Sequence, residues 1–233
     1  MIRLDKLLAH SGYGSRKEVK ELIRKGYVSV NEEIIKNDDF KVDETNDEVI
    51  VDGMIIDYQK FIYIMLNKPE GVISATYDPK EEIILDLLID VPTRGLFPVG
   101  RLDKDSEGLL LITNDGKLAH ELLSPKKHVE KVYYIEYEGE LDKDVESKFQ
   151  NGIVLDDGYK CLSSKIELFS NNKAYVTISE GKYHQVKRMI QMVNGEVTYL
   201  KRIKFGTLEL DNSLNKGEYR NLTNEELDSL KNR

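Results

Sequence analysis

Residues 100–116 read Gly100-Arg101-Leu102-Asp103-Lys104-Asp105-Ser106-Glu107-Gly108-Leu109-Leu110-Leu111-Ile112-Thr113-Asn114-Asp115-Gly116. A polar turn carrying Arg101, Asp103, Asp105 and Glu107 gives way at Gly108 to four consecutive apolar residues. An apolar run of that length between glycines predicts a short strand buried on both faces, closed by a turn at Asn114-Asp115-Gly116. A charged turn feeding a buried strand puts carboxylates at the edge of a rigid core, where a catalytic acid can be held in place. Asp103 can equally be an ordinary turn residue, because Asp often hydrogen-bonds its own backbone.

The chain has 233 residues, enough for one large domain or two modest ones, with 40% hydrophobic and 33% charged residues. No apolar run approaches the roughly 20 residues of a membrane-spanning helix. Asp5 and Lys6 stand where a signal peptide needs its apolar stretch. The single cysteine, Cys161, excludes an internal disulfide, and no Cys/His cluster has zinc-ligand spacing. A cytoplasmic location is expected. The net charge of −8 is unevenly spread: residues 1–31 carry +4, residues 32–58 carry −8 and residues 182–204 carry +5. Two basic segments on an acidic chain suit an anionic partner gripped at defined places, or they are solvated helix faces.

Residues 3–12 predict a short helix. Ser15 opens a second one, with Glu18 completing a capping box, Val19, Leu22 and Ile23 as its apolar stripe and Gly26 as its stop. Arg16, Lys17, Lys20 and Arg24 lie off that stripe and can face outward together. Strand-like pieces follow at residues 27–30 and 49–51. Residues 61–66 predict a strand running into Asn67-Lys68-Pro69-Glu70-Gly71, where Pro and Gly force a turn. Residues 76–95 read as a loop around one short helix, residues 117–123 as a helix, residues 132–137 as an aromatic strand and residues 141–150 as another helix. Turns are expected at Asp156-Asp157-Gly158 and Asn171-Asn172. Val186, Met189, Ile190 and Val193 fall at helical spacing and predict an amphipathic helix on a sheet. His120 and His128 have no partner pattern and read as surface or loop residues.

Several of these stretches resemble known segments. Gly100-Arg101-Leu102-Asp103 with Gly108-Leu109-Leu110-Leu111 and Thr113-Asn114-Asp115-Gly116 closely resembles the active-site segment of the A-type ribosomal small-subunit pseudouridine synthases. Ser106 departs from the more usual Thr of that family but keeps the hydroxyl. Asn67-Lys68-Pro69 resembles the family's first segment, a structural support, so Lys68 and Pro69 read as scaffold. Lys131-Val132-Tyr133 resembles the second, and Tyr183-His184-Gln185-Val186-Lys187-Arg188-Met189 the third, in its small-subunit wording. At the other end, Arg3-Leu4-Asp5-Lys6-Leu7-Leu8, Ser15-Arg16-Lys17 and Gly26-Tyr27-Val28-Ser29-Val30-Asn31 resemble the S4 RNA-binding domain.

The resemblance implies an α+β protein: a small α/β S4 domain over residues 1–58, then a catalytic domain over residues 59–233 on a mixed, largely antiparallel sheet flanked by helices. It implies an rRNA pseudouridine synthase with Asp103 as the catalytic carboxylate, Tyr133 stacked on the target base and Lys187 paired with Asp103. Residues expected to meet RNA are Arg3, Arg16, Lys17, Lys20 and Arg24 in the first domain and Arg101, Lys182, His184, Gln185 and Arg188 in the second. His184 reads as a marker of the branch rather than as a general base. Isomerising uridine moves no electrons out of the substrate, so no cofactor and no metal are expected. The expected partner is 16S rRNA, at uridine 516, or a partly assembled small subunit, met by a monomer away from membranes. A large-subunit rRNA synthase and a non-catalytic RNA-binding assembly factor are the rival readings. A DNA-binding helix-turn-helix regulator is more distant, since nothing suggests symmetric half-sites.

Overall fold

The computed structural model describes residues 1–56, 58–169 and 172–232. Asn171 of the expected turn at 171–172 lies outside the described residues. The chain separates into two compact units, one of residues 1–62 with 89–96 and one of residues 63–88 with 97–233.

The first unit runs β1 (Ile2–Arg3), α1 (Leu4–His10), α2 (Arg16–Lys25), β2 (Val28–Val30), β3 (Glu33–Ile34), β4 (Lys41–Val42), β5 (Val49–Val51) and β6 (Met54–Ile55). Ser15 and Glu18 form the capping box of α2, and Gly26 ends it in the left-handed conformation. Strands pair in the order β3-β2-β5-β6, and β1 pairs with β4. Leu4, Leu7 and Leu8 of α1 and Val19 and Ile23 of α2 close against Val28, Val42 and Val51 in one buried cluster. The apolar stripes of both helices therefore point inward, which leaves their cations at the surface.

The second unit contains β7 (Tyr63–Lys68), β8 (Phe97–Pro98), β9 (Glu107–Thr113), α3 (Gly116–Leu123), β10 (Lys131–Gly139), α4 (Val145–Asn151), β11 (Lys165–Phe169), β12 (Lys173–Ile178), α5 (Gln185–Gln191), β13 (Gly195–Phe205), β14 (Leu208–Glu209), β15 (Tyr219–Asn221) and α6 (Asn224–Lys231). Among the described residues these strands form one sheet, β11-β12-β10-β13-β9-β7-β15, with β14 added to β13 and β8 to β9. Every pairing is antiparallel except β9 with β13. A parallel pair needs a long crossover; here it runs through β10, β12 and α5. Because β9 and β13 run the same way, the turn before β9 and the helix before β13 lie at the same end of the sheet.

Strand β9 is buried at every residue, as its unbroken apolar run requires. Gly108 stands where β9 meets β13. Its φ of +99° is left-handed, and a Cβ there would lie 2.2 Å from the Arg202 carbonyl oxygen. Only glycine permits that approach.

The structure departs from the sequence reading in four places. The strand expected from residue 61 begins at Tyr63 and extends through Lys68 to the proline. No helix forms over 76–95: Asp78 Oδ1 captures the Lys80 and Glu81 amides, Asp86 Oδ2 captures the Ile83 amide, and Ile83 bridges to Ile73. Helix α4 starts at Val145, later than residue 141. The turn at 114–116 is a helix start, since Asp115 Oδ1 accepts the Lys117 and Leu118 amides and caps α3.

Candidate active site

Asp103 is held by its backbone from one side and by its side chain from another. Lys68, the last residue of β7, is fully buried, and its ammonium donates to the carbonyls of Pro69 (2.9 Å), Asp103 (3.0 Å) and Ser106 (2.8 Å). Ser74 adds two bonds to Leu102, and the Gly71 amide donates to the Lys104 carbonyl. The turn before β9 is thus tied to the sheet through its main chain. Burial pulls the Lys68 ammonium down to about 8, against nearby carboxylates that favour its charge.

The side-chain contacts come from α5. Lys187 Nζ lies 3.5 Å from Asp103 Oδ2 and 2.5 Å from Asp105 Oδ1, and His184 Nε2 lies 3.5 Å from Asp103 Oδ1. Asp103 is 30% exposed and Lys187 19%, whereas Asp105 is 64% exposed. Asp105 is held below the ordinary carboxylate range: partial burial opposes this, and the Lys187 hydrogen bond and charge outweigh it. The expected Lys187 partner is Asp103; the structure gives Lys187 two carboxylates, and the shorter contact goes to Asp105. Spacing offered one signal for Asp105, its place two residues after Asp103 in the same turn.

Residue His184 takes a left-handed backbone (φ +47°) at the start of α5, and its ring stacks on Tyr183 at 3.8 Å. Two residues expected to meet RNA are engaged within the fold. Gln185 is buried: its Nε2 donates to Glu180 Oε1 (2.9 Å) and its Oε1 accepts the Lys182 amide (2.8 Å). Glu180 also accepts the Leu162 amide and the Tyr159 hydroxyl, so Gln185 braces the loop that launches α5 and has no amide left for RNA. Arg188 is committed to Asp156, at 2.7 Å from its Nε, and to Asp157, so it anchors the 156–158 turn.

The remaining positions are more open. Lys182 sits over the Tyr159 ring at 4.4 Å. Arg101 is exposed and has no hydrogen bond or ion pair among the described residues. Tyr133, 8% exposed, faces the same side of β10 as Ile135 and Tyr137. Register sets Tyr133 opposite Arg202, Arg202 opposite Gly108 and Gly108 opposite Lys68. Tyr133 therefore lies in the sheet row that begins β9, about 10 Å from it at two strand spacings. No hydrogen bond joins it to Asp103. Arg202, inside the basic run at 201–204, is buried and donates to the Leu109 carbonyl at 2.7 Å; it is no phosphate contact. His120 and His128 are exposed, as read.

In the first unit Arg3, Arg16, Lys17 and Lys20 line a cavity of about 480 Å³ together with Asp5. Arg3 forks onto Asp5 at 3.0 Å, and Lys20 lies 3.9 Å from it. Arg24 pairs instead with Asp38 at 2.7 Å. Arg16 and Lys17 are the open cations of the group. Among the described residues no cluster of His, Cys, Asp or Glu is set to hold a metal ion, and no helix is long and apolar enough to cross a membrane.

A buried strand fed by a turn that displays a part-exposed carboxylate beside a lysine is an arrangement in which a carboxylate can serve as acid, base or nucleophile. Residues 62–192 match the RNA pseudouridylate synthase family, and residues 2–49 match the S4 domain. An uncharacterized RNA pseudouridine synthase of Bacillus subtilis is 49% identical, over 98% of both chains. A ribosomal large subunit pseudouridine synthase B of the same organism is 37% identical, over 99% of this chain and 96% of that one. A ribosomal small subunit pseudouridine synthase A of Vibrio cholerae is 39% identical, over 98% of this chain and 99% of that one. A crystal structure of a pseudouridylate synthase superposes with a TM-score of 0.70 at 33% identity, covering 99% of this chain and all of that one. The chain belongs to the RNA pseudouridylate synthase family.

Proposed function

We propose that this enzyme isomerises one uridine of small-subunit (16S) rRNA to pseudouridine, at position 516, with Asp103 as the reacting carboxylate. The reaction breaks the N1–C1′ bond, turns the uracil and joins C5 to C1′; the C5 proton is lost and N1 gains one, so atoms and electrons balance within the base and water. A carboxylate can attack the sugar or the base, or remove a proton from the sugar, and Asp103 suits each role. Lys187 supplies a counter-charge 3.5 Å from that carboxylate. Tyr133 supports the extruded uracil, for which ring stacking contributes about 1–3 kcal/mol. Extrusion costs a few kcal/mol, offset by phosphate contacts from Arg3, Arg16, Lys17 and Lys20 of an S4 domain ending at residue 58, and from Arg101 and Lys182 of the catalytic domain over residues 59–233.

The observation that carries this reading is the meeting of Lys187 and His184 with the Asp103 carboxylate. The Tyr183-His184 wording and the small-subunit relative support 16S rRNA, whereas the large-subunit relative supports 23S rRNA as the second reading. A monomer acting in the cytoplasm on free RNA or on a partly assembled ribosomal particle fits either. The test is pseudouridine mapping by carbodiimide labelling and primer extension on unmodified 16S and 23S rRNA, free and in partly assembled particles. An Asp103-dependent stop at 516 is expected. A stop only in 23S transfers the chemistry to the second reading, and RNA binding with no stop would leave a non-catalytic assembly factor.

A further inference from the structure

The reaction above asks Lys187 only to balance the charge of Asp103, yet its ammonium is 1 Å closer to Asp105, at 2.5 Å against 3.5 Å. A charge-assisted N–H···O bond closes at about 2.7–2.9 Å. At 3.5 Å most of the Coulomb attraction survives, because it falls only as the inverse of distance, while the directional hydrogen bond is largely gone. Asp103 is therefore paired in charge without having its Oδ2 lone pairs committed to a donor.

The groups around Asp103 make this balance legible. His184 approaches the other carboxylate oxygen at 3.5 Å, also long for a hydrogen bond. Lys68 from β7 is bound to the Asp103 main-chain oxygen and to two other carbonyls. Lys104 is turned away onto Glu81. Glu107, the nearest further acid in the chain, is held by Lys216 and Tyr199 at 2.6 Å each. Asp105 is the one group in the turn that draws Lys187 back from Asp103.

We propose that Asp105 is a positioning residue for the isomerisation: it holds the Lys187 ammonium off Asp103, so that the reacting carboxylate keeps its charge partner and also keeps lone pairs free to attack. This inference rests on Asp103 being the reacting group. Replacing Asp105 by Asn removes the competing charge, and Lys187 closes onto Asp103 as a hydrogen-bonded pair. A carboxylate held that way is the weaker nucleophile and base. RNA affinity is not lowered, since the change removes a negative charge from an exposed position near an anionic substrate.

The test compares wild type, Asp105→Asn, Asp105→Glu and Asp103→Asn in single-turnover pseudouridine formation on the mapped rRNA. The Asp103 13Cγ resonance of the RNA-free proteins is recorded at pH 7 and assigned with the Asp103→Asn protein. Expected are a fall of about tenfold in kcat for Asp105→Asn with KM unchanged or lower, substantial recovery in Asp105→Glu, and a displaced Asp103 resonance in Asp105→Asn alone. A tenfold loss corresponds to about 1.4 kcal/mol of barrier. A kcat within twofold of wild type, with the Asp103 resonance unmoved, overturns the inference. Loss of activity that Glu does not restore, with the resonance unmoved, also overturns it, because it marks a purely structural role. Full turnover by Asp103→Asn defeats the functional reading itself and the inference with it.

Discussion

Replacing Lys68 by Met should slow the enzyme far more than it destabilises it. Two opposing terms act on stability. Bringing the ammonium from its ordinary 10.5 down to about 8 reflects about 3 kcal/mol of penalty at neutral pH, which Met removes. Against this, the Pro69, Asp103 and Ser106 carbonyls lose their shared donor. The Ser106 bond is buried and the other two are part-buried, so one carbonyl is left dry at about 1–3 kcal/mol and two are partly rehydrated. The terms nearly cancel, and the net change is less than about 2 kcal/mol, or a Tm shift below about 6 °C. Nothing cancels the local effect. The turn carrying Asp103, the proposed reacting group, loses its Lys68 tie to β7, and a displacement of about 1 Å at a reacting group costs on the order of 100-fold in rate. The pH dependence supplies a second readout. The unfolded chain keeps this proton up to 10.5 and the folded chain releases it near 8. Between those values the unfolded state binds more protons, so wild-type stability rises with pH across that window and falls as pH returns through 8. Lys68→Met should lack that rise. Single-turnover kinetics and urea unfolding from pH 7 to about 10.5 check both statements. A kcat within threefold of wild type, or identical stability profiles for the two proteins, would refute the reasoning.

Gly108→Ala should prevent the β9–β13 pairing, because the new Cβ would meet Arg202 backbone atoms at 2.2 and 2.8 Å in a left-handed conformation; a soluble variant with a wild-type thermal melt would contradict this. Gln185→Leu removes a buried donor from Glu180 and a part-buried acceptor from the Lys182 amide, and should cost about 1–3 kcal/mol; it should also lower kcat, since α5 carries Lys187, the proposed charge partner of Asp103. Changing Arg16 and Lys17 together to Gln should reduce the slope of log K against log salt by about 1–2 without altering kcat at saturating RNA. Filter binding over a salt series measures it, and an unchanged slope would remove these two cations from the RNA contact.

Local pattern made much of this molecule legible. The unbroken apolar run at 109–112 announced a strand with no exposed face, and Ser15 with Glu18 announced the start of α2. Spacing at Val186, Met189, Ile190 and Val193 gave the buried side of α5 and its surroundings, all four being buried. Polar residues whose partners are distant in sequence were not legible. Gln185 looks like a surface amide until Glu180 and the Lys182 amide close on it, and Arg202 looks like part of a basic patch until the Leu109 carbonyl, 93 positions away, takes its Nε. The short helix expected within 76–95 failed for the opposite reason. Two local aspartates, Asp78 and Asp86, offered the backbone amides a nearer acceptor than a helical carbonyl. Asp105 was visible in the turn, but its claim on Lys187 depends on α5 arriving from 82 residues further along.

Sheet topology explains why one aspartate can meet two lysines so far apart in the chain. β9 lies between β7 and β13 in the sheet. From β7, antiparallel to β9, comes Lys68 at the end of its strand, directly opposite Gly108 and therefore beside the turn that precedes it. From the other side, β13 is parallel to β9, so the helix that precedes β13 arrives where the turn preceding β9 already stands. One neighbour fixes the main chain of Asp103 and the other brings a charge partner to its carboxylate. An all-antiparallel arrangement would put the segment before β13 at the far end of β9 and separate Lys187 from Asp103 by the length of the strand. The parallel pairing of β9 with β13, made possible by a glycine with no Cβ where the two strands meet, is thus the topological condition for the candidate site.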